Sequence, residues 1–315
     1  MTTPASSGDR TRIGFLGPSG TFTEQALLTQ PDLAELELVP MGSISDVLWA
    51  AHTGDVDLGF VAIENAIEGS VNVTLDTLAL DTDLLIQREI VMAVHLALMV
   101  RPGVKLGDIT QITSIPVATA QCRTFLRSQL PSARLLAANS TAEAAKNLAE
   151  GGDGQTGVIA PARAAEVYAL DVLASEIEDH PENKTRFVVV AEQGIPVPTG
   201  HDKTSIVVFQ RADEPGSLLG ILQEFAARNI NLTKLSSRPT KISLGDYCFL
   251  IDLEGHIDDE LVTDALRALK SKQSDVKFLG SYPAAGEHAP AARRDMHEAW
   301  KKADAWIGEL RSHIR

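Results

Sequence analysis

At 315 residues the chain exceeds one ordinary core and suits two domains, or a catalytic unit with a small added module. A formal charge of −14, with no Lys/Arg run to offset it, excludes a general nucleic-acid binder and means that an anionic substrate needs a local positive site. Cys122 and Cys248 stand far apart without CxxC or Cys/His spacing, which argues against a disulfide framework or a zinc site. With no signal-peptide core and no apolar run of about 18 residues, a cytoplasmic protein is expected.

Residues 1–10 (MTTPASSGDR) read as a polar, disordered arm. Residues 12–16 (RIGFL) form a short apolar strand, followed by Gly17-Pro18-Ser19-Gly20 and by Thr21-Phe22-Thr23-Glu24, a capping pattern that opens a helix. The glycines at 14, 17 and 20 match neither GxGxxG nor a P-loop, since no Lys follows. Such a helix start is a ready anion site, and tight packing accounts for the same glycines equally well. Ser43-Ile44-Ser45-Asp46 repeats the cap before a helix carrying Val47, Leu48 and Ala51, which Gly54 ends. Residues 56–63 are a buried-strand run delivering Glu64 and Asn65. Ligands in open α/β sheets bind beyond the carboxyl ends of strands, so this pair is well placed, unless it only holds the turn that follows.

Residues 84–100 are strand-rich and long enough to leave one sheet and join another. The pattern then restarts: residues 115–117 are apolar, 120–130 are helical with Gln121 near the beginning, and Pro131 stops them. A strand over 134–138, a helix capped by Ser140, a strand over 157–160, a helix from Pro161 and a strand over 170–174 follow. Strands alternating with helices imply α/β lobes with mainly parallel sheets and a cleft between them. Residues 179–192 (DHPENKTRFVVVAE) run from a turn-forming loop into a strand that returns to the first lobe. Thr185 and Arg186 sit at that entry: Arg186 offers a planar charged fork for a carboxylate, and Thr185 an uncharged hydroxyl. A capping Thr and a surface-paired Arg would look the same.

Residues 192–203 carry prolines and glycines with little periodicity and form a linker. Strands over 203–210, 230–235, 247–253 and 276–282, with helices over 217–228 and 258–270, give βαββαβ, the ferredoxin-like order. A connector follows, then an amphipathic helix over 295–315 with Trp300, Ala303, Ile307, Leu310 and Ile314 on one stripe and Trp306 at its margin. Two tryptophans there predict that it packs on the catalytic part or on another subunit.

With these pieces in order, the chain resembles bacterial prephenate dehydratase from about residue 12 to about residue 282. The matching stretches are GPSGTFTEQA (17–26), IENAIEGSVNVTLDTL (63–78), AQCRTFL (120–126), AAEVYALDVLASEIEDHPENKTRF (164–187) and PGSLLGILQEFAARNINLTKLSSRP (215–239). The last resembles the amino-acid-sensing ACT module of that family. The resemblance implies an α/β fold: a two-lobed, periplasmic-binding-protein-like catalytic domain at 11–191, then a linker at 192–203 and a ferredoxin-like ACT domain at 204–282. A connector and C-terminal helix at 283–315 end the chain. Lobe 1 is expected over about 11–90 plus 186–191, and lobe 2 over about 91–185.

Carried over by position, the family's essential threonine falls on Thr185, followed by Arg186 and Phe187, and its Glu-Asn pair on Glu64 and Asn65. Its Ser and Gln fall on Ser114 and Gln121, and its first-turn Gly-Thr on Gly20 and Thr21. Effector contacts are expected from Asp213, Gly216, Ser217, Leu218, Asn231, Ser237 and Arg238. The chain departs from the family at Ala66 (commonly Ser), Ile115 (His), Ser217 (Ala) and Ser236 (Glu). The implied reaction is loss of CO2 and water from prephenate without metal or cofactor, controlled by L-phenylalanine in a homodimer or homotetramer joined through ACT domains. Thr185 then orients or relays a proton, with Glu64 as the ultimate donor if burial raises its pKa. The competing readings are an arogenate dehydratase and a non-catalytic, two-lobed carboxylate-binding protein with a sensing domain.

Overall fold

The computed structural model describes residues 10–151, 153–210, 214–241, 246–273, 275–286, 302 and 305–313. Its contacts divide the chain into two units, one of residues 1–77 and 90–192, the other of 78–89 and 193–315.

The first unit starts with β1 (Arg12–Leu16), α1 (Phe22–Leu28), α2 (Pro31–Ala34), β2 (Glu37–Met41), α3 (Ile44–Thr53), β3 (Leu58–Asn65), β4 (Gly69–Ser70) and α4 (Asn72–Asp76). The capping patterns act as their chemistry predicts. Thr21 accepts from Glu24 N, and Ser43 accepts from Asp46 N, while Gly54 closes α3 in the left-handed region at φ 79°. After a π-helical turn (Thr77–Asp81), β5 (Leu85–Ala93) and β6 (Ala97–Val100) are separate strands broken around His95.

The second half runs β7 (Gln111–Ser114), α5 (Pro116–Gln121), α6 (Arg123–Gln129), β8 (Arg134–Ala137), α7 (Thr141–Gly151), β9 (Thr156–Ala160), α8 (Ala162–Tyr168), β10 (Asp171–Ala174) and β11 (Lys184–Ala191). One sheet has the order β2-β1-β3-β11-β5 with β4 on β3, and the other β10-β6-β9-β7-β8. β5 and β6 thus belong to different sheets, and β11 returns to the first. The expected parallel pairing holds for β2-β1-β3 and β9-β7-β8. β11 on β3, and β6 on β9 and β10, are antiparallel, because strands that cross between the sheets enter from the opposite end.

Ile13, Phe15, Leu27, Phe60, Ile90, Phe187 and Val189 form the core of the first lobe. Leu98, Ile112, Ala118, Cys122, Leu126 and Ile159 form one core of the second. Phe22 packs against both, so the first residue of α1 ties the lobes together. Tyr168 donates its hydroxyl to Ser19 O at 2.7 Å, and a Cβ on Gly20 would stand 3.1 Å from Ala164 Cα, so the turn before α1 and α8 meet closely.

In the second unit, β12 (Asp202–Phe209), α9 (Ser217–Ala226), β13 (Leu232–Pro239), β14 (Tyr247–Glu254), α10 (Glu260–Lys272) and β15 (Asp275–Pro283) realise the βαββαβ order as an antiparallel sheet β13-β14-β12-β15. Ile206, Val208, Ile221, Phe225, Ile251 and Leu269 fill the space between sheet and helices. Residues 78–89 pack in this unit. The buried Glu89 carboxylate accepts from Lys203 Nζ at 2.8 Å and Ala285 N at 2.7 Å, and Lys277 Nζ caps the carbonyls of Ala79 and Thr82. In the described part of the C-terminal helix Trp306 is 58% and Leu310 47% exposed, so the described residues of the same chain do not cover them. Trp300, Ala303 and Ile314 lie outside the described residues.

Candidate active site

The ends of β3 and β11 build the centre of the site. Antiparallel register sets Thr185 opposite Asn65 and Arg186 opposite Glu64, so residues 120 apart in sequence become neighbours through backbone pairing. The Asn65 amide has a defined direction. Its Oδ1 accepts from Ile67 N and Glu68 N, each at 2.9 Å, in the turn after β3. Its Nδ2 therefore faces Thr185 Oγ1 at 2.9 Å and Asn183 Oδ1 at 2.9 Å. The Thr185 oxygen is an acceptor in this bond, and among the described residues its own proton is donated to no protein group.

Arg186 is 9% exposed, and its Nη1 lies 3.5 Å from Glu64 Oε2. Glu64 is 37% exposed and paired with that guanidinium, so the burial on which its proton-donor role depended is missing. Phe187 turns the other way: it is 1% exposed and stacks on Phe60 with centroids 5.3 Å apart, so it anchors β11 in the core and does not line a substrate site. Strand alternation puts Arg186 and Phe187 on opposite faces, and the register shifts between them where Ile63 of β3 is the extra residue.

Gln121 is the last residue of α5, not the start of a longer helix, because the chain breaks at Cys122 before α6. Asp179 causes the restart: its carboxylate accepts from Arg123 N and Thr124 N, both at 3.0 Å, which caps α6, and its N–H donates to Gln121 O. Gln121 Oε1 accepts from Asn183 Nδ2 at 3.1 Å. Burial, with Glu178 and Asp179 adding negative charge nearby, pushes the Cys122 thiol up to about 12.

Ser114 is fully buried and spends its hydroxyl on Ile159 O at 2.6 Å, which ties β7 to β9 and gives it no donor for a substrate. Gly20 and Thr21 are also occupied. Gly20 N donates to Glu24 Oε2 at 2.5 Å, and Thr21 Oγ1 accepts from Glu24 N and donates to Leu16 O. These two residues shape the turn at φ +90° where α8 approaches; the carboxylate that the turn was expected to receive is supplied by Glu24.

Asn183, 1% exposed and read from sequence only as a turn former, joins Gln121 to Asn65. Its place two residues before Thr185 was the available signal, since alternate residues of an extended segment share a face. Among the described residues, no group of three or more His, Cys, Asp or Glu is placed to hold a metal ion.

In the second unit, Gly216 caps α9 at φ +89°, Ser217 and Leu218 open that helix, and Leu218 packs on the core. Asn231 donates to Glu254 Oε1 at 3.0 Å; Ser237 and Arg238 lie on β13, opposite Phe249 and Cys248. Asp213 lies outside the described residues.

The sequence model of the family Prephenate dehydratase matches residues 13–194, and that of the ACT domain residues 204–271. A prephenate dehydratase of Mycolicibacterium vanbaalenii is 42% identical over 313 residues, covering 95% of this chain and 98% of the relative. The crystal structure of a prephenate dehydratase from Arthrobacter aurescens in complex with L-Phe superposes with a TM-score of 0.88 at 39% identity, over 96% of this chain and 99% of the other. A structure described as a novel type of quorum-quenching acylase, GqqA, gives 0.78 at 28% identity, over 87% and 98%.

Proposed function

The chain belongs to the prephenate dehydratase family and carries an ACT domain, and from that premise we infer that it converts prephenate to phenylpyruvate under feedback by L-phenylalanine. Cleavage of the ring carboxylate releases CO2 and leaves an electron pair that completes the aromatic ring as the ring C–O bond breaks. The departing hydroxide takes one proton to become water. Aromatisation supplies the driving force, so the protein has to hold a dianion, exclude water and meet the leaving hydroxyl with a proton.

The observation that carries the residue roles is the Asn65–Thr185 hydrogen bond with Asn65 Oδ1 already engaged by two backbone N–H groups. It makes the Thr185 oxygen an acceptor and leaves its hydrogen for the leaving hydroxyl. A threonine hydroxyl is too weakly acidic to be the ultimate acid, so Thr185 orients the leaving group and relays a proton from water. Arg186 supplies the buried positive charge that a dianion needs in a chain of net charge −14. An acylase would need an activated nucleophile, and among the described residues the Thr185 hydroxyl meets the Asn65 amide and no general base.

For the effector, Gly216 permits close approach at the start of α9, and Asn231 with Glu254 offers polar atoms for an ammonium. Pairing of ACT domains between subunits is supported by the edge position of β13 and the 43% exposure of Leu235. The deciding assay incubates the protein with prephenate and, separately, with arogenate. Phenylpyruvate from the first is expected; phenylalanine from arogenate alone would reassign the substrate, and no product from either would sink the reading.

A further inference from the structure

Resting on that reading, we propose that Asn183 is a positioning residue: its amide links Gln121 to Asn65 so that the substrate meets hydrogen-bond donors at both ends of the chain of side chains. The direction of the chain follows from its bonds. Asn65 is fixed first, because Ile67 N and Glu68 N hold its oxygen. Asn65 Nδ2 must then donate, and its shortest bonds go to Thr185 Oγ1 and Asn183 Oδ1 at 2.9 Å each, with Lys184 O farther at 3.3 Å. With its oxygen taken, Asn183 presents Nδ2 to Gln121 Oε1 at 3.1 Å. Gln121 therefore ends the chain with its Nε2 free of Asn183, and among the described residues that group donates to no protein acceptor. The two ends, Thr185 O–H and Gln121 N–H, are both donors, which suits a substrate whose carboxylates and leaving oxygen are all acceptors.

Asn183 is itself held rigidly. Its N–H donates to His180 O, its carbonyl accepts from Val94 N, and it is 1% exposed, so it acts through its neighbours without touching substrate. A residue with two acceptors at this place would reverse one end of the chain, because Gln121 would have to turn its Nε2 inward to satisfy it.

Asn183→Asp makes that change with almost no change of shape. Its carboxylate still accepts from Asn65 but has no hydrogen for Gln121 until it is protonated. The titratable and charged groups nearby are Glu64 on β3, Lys184 and Arg186 on β11, Glu178, Asp179, His180 and Glu182 on the preceding loop, and His95 beside Val94. All are common to variant and wild type, so the ratio of their pH profiles isolates residue 183. At about pH 8 we expect prephenate kcat/KM about tenfold or more below wild type, mainly through KM, with the deficit shrinking as the pH falls toward about 5. A variant within twofold of wild type throughout, or a deficit that ignores pH while circular dichroism and thermal midpoint are unchanged, would overturn the proposal. Should Asn183→Asp fail to fold, Gln121→Glu decides: it still accepts from Asn183 but has no N–H donor, and the same pH-dependent loss is expected, a flat profile overturning the idea. Wild-type protein inactive on prephenate removes the functional reading and this one with it; an active wild type beside a flat variant removes this one alone.

Discussion

In the proposed function Thr185 is the residue on which the chemistry turns, through the direction of its hydrogen bond with Asn65. Thr185→Ala is expected to lower prephenate turnover by about two to four orders of magnitude, the range for losing a positioned proton-handling group, with unchanged circular dichroism. Near wild-type turnover would end the assignment. Cys122 is the opposite kind of residue, inert by environment. Its thiol is raised from 9.0 to about 12, so below pH 9 it is protonated in folded and unfolded chain alike. Above that the unfolded chain ionises and the folded one resists. The stability it contributes is thus complete below pH 9 and is lost as the pH rises toward about 12. Denaturant midpoints measured across that window should fall more gently in Cys122→Ala than in wild type, and a thiol reagent at neutral pH should label Cys122 only on unfolding. Thr185, Asn65 and Gln121 were legible from the sequence through matched motifs. Asn183 was read only as a turn former, because its spacing to Thr185 was the sole cue and a buried amide and a loop Asn otherwise look alike in sequence.

At the scale of elements, caps and breaks were readable where one local bond decides them: Thr21, Ser43 and Ser140 each accept from the N–H three residues on. The split between α5 and α6 was hidden, since the carboxylate that restarts the helix comes from Asp179, more than fifty residues away in sequence. Gly280 on β15 tests tertiary packing in the second unit. It has φ +137°, and a Cβ there would run into Ile86 O, a backbone atom that cannot step aside. Gly280→Ala should lower the unfolding free energy by about 1–3 kcal/mol or more through overpacking and strain. Gly220, inside α9 with nothing within 4 Å of its Cβ position, is the control, and Gly220→Ala should raise it by about 0.5–1 kcal/mol. Thermal or denaturant unfolding of both variants checks the contrast, and a neutral Gly280→Ala would refute the packing of residues 78–89 in this unit.

At the scale of the whole molecule, the regulatory reading makes a thermodynamic demand. If L-phenylalanine bound to the ACT domain weakens prephenate binding, prephenate must weaken phenylalanine binding by the same factor. Calorimetric titration of phenylalanine into the full chain, with and without a non-reacting prephenate analogue, should return equal coupling factors. Absence of phenylalanine binding at millimolar concentration would remove that effector.

The sequence by itself determined the alternation of strands and helices in the catalytic part, the helix caps, the βαββαβ module and the family, because these depend on local periodicity, single side-chain-to-backbone bonds and motifs read in a row. The tertiary structure decided which way the named residues face. Strand alternation puts Phe187 in the core on the face opposite Arg186, the β7–β9 contact occupies Ser114, Glu24 fills the place at Gly20 kept for a substrate carboxylate, and Asn183 bonds Gln121 to Asn65. Facing and hydrogen-bond direction depend on strand register and on partners far along the chain, and neither periodicity nor motif spacing encodes them.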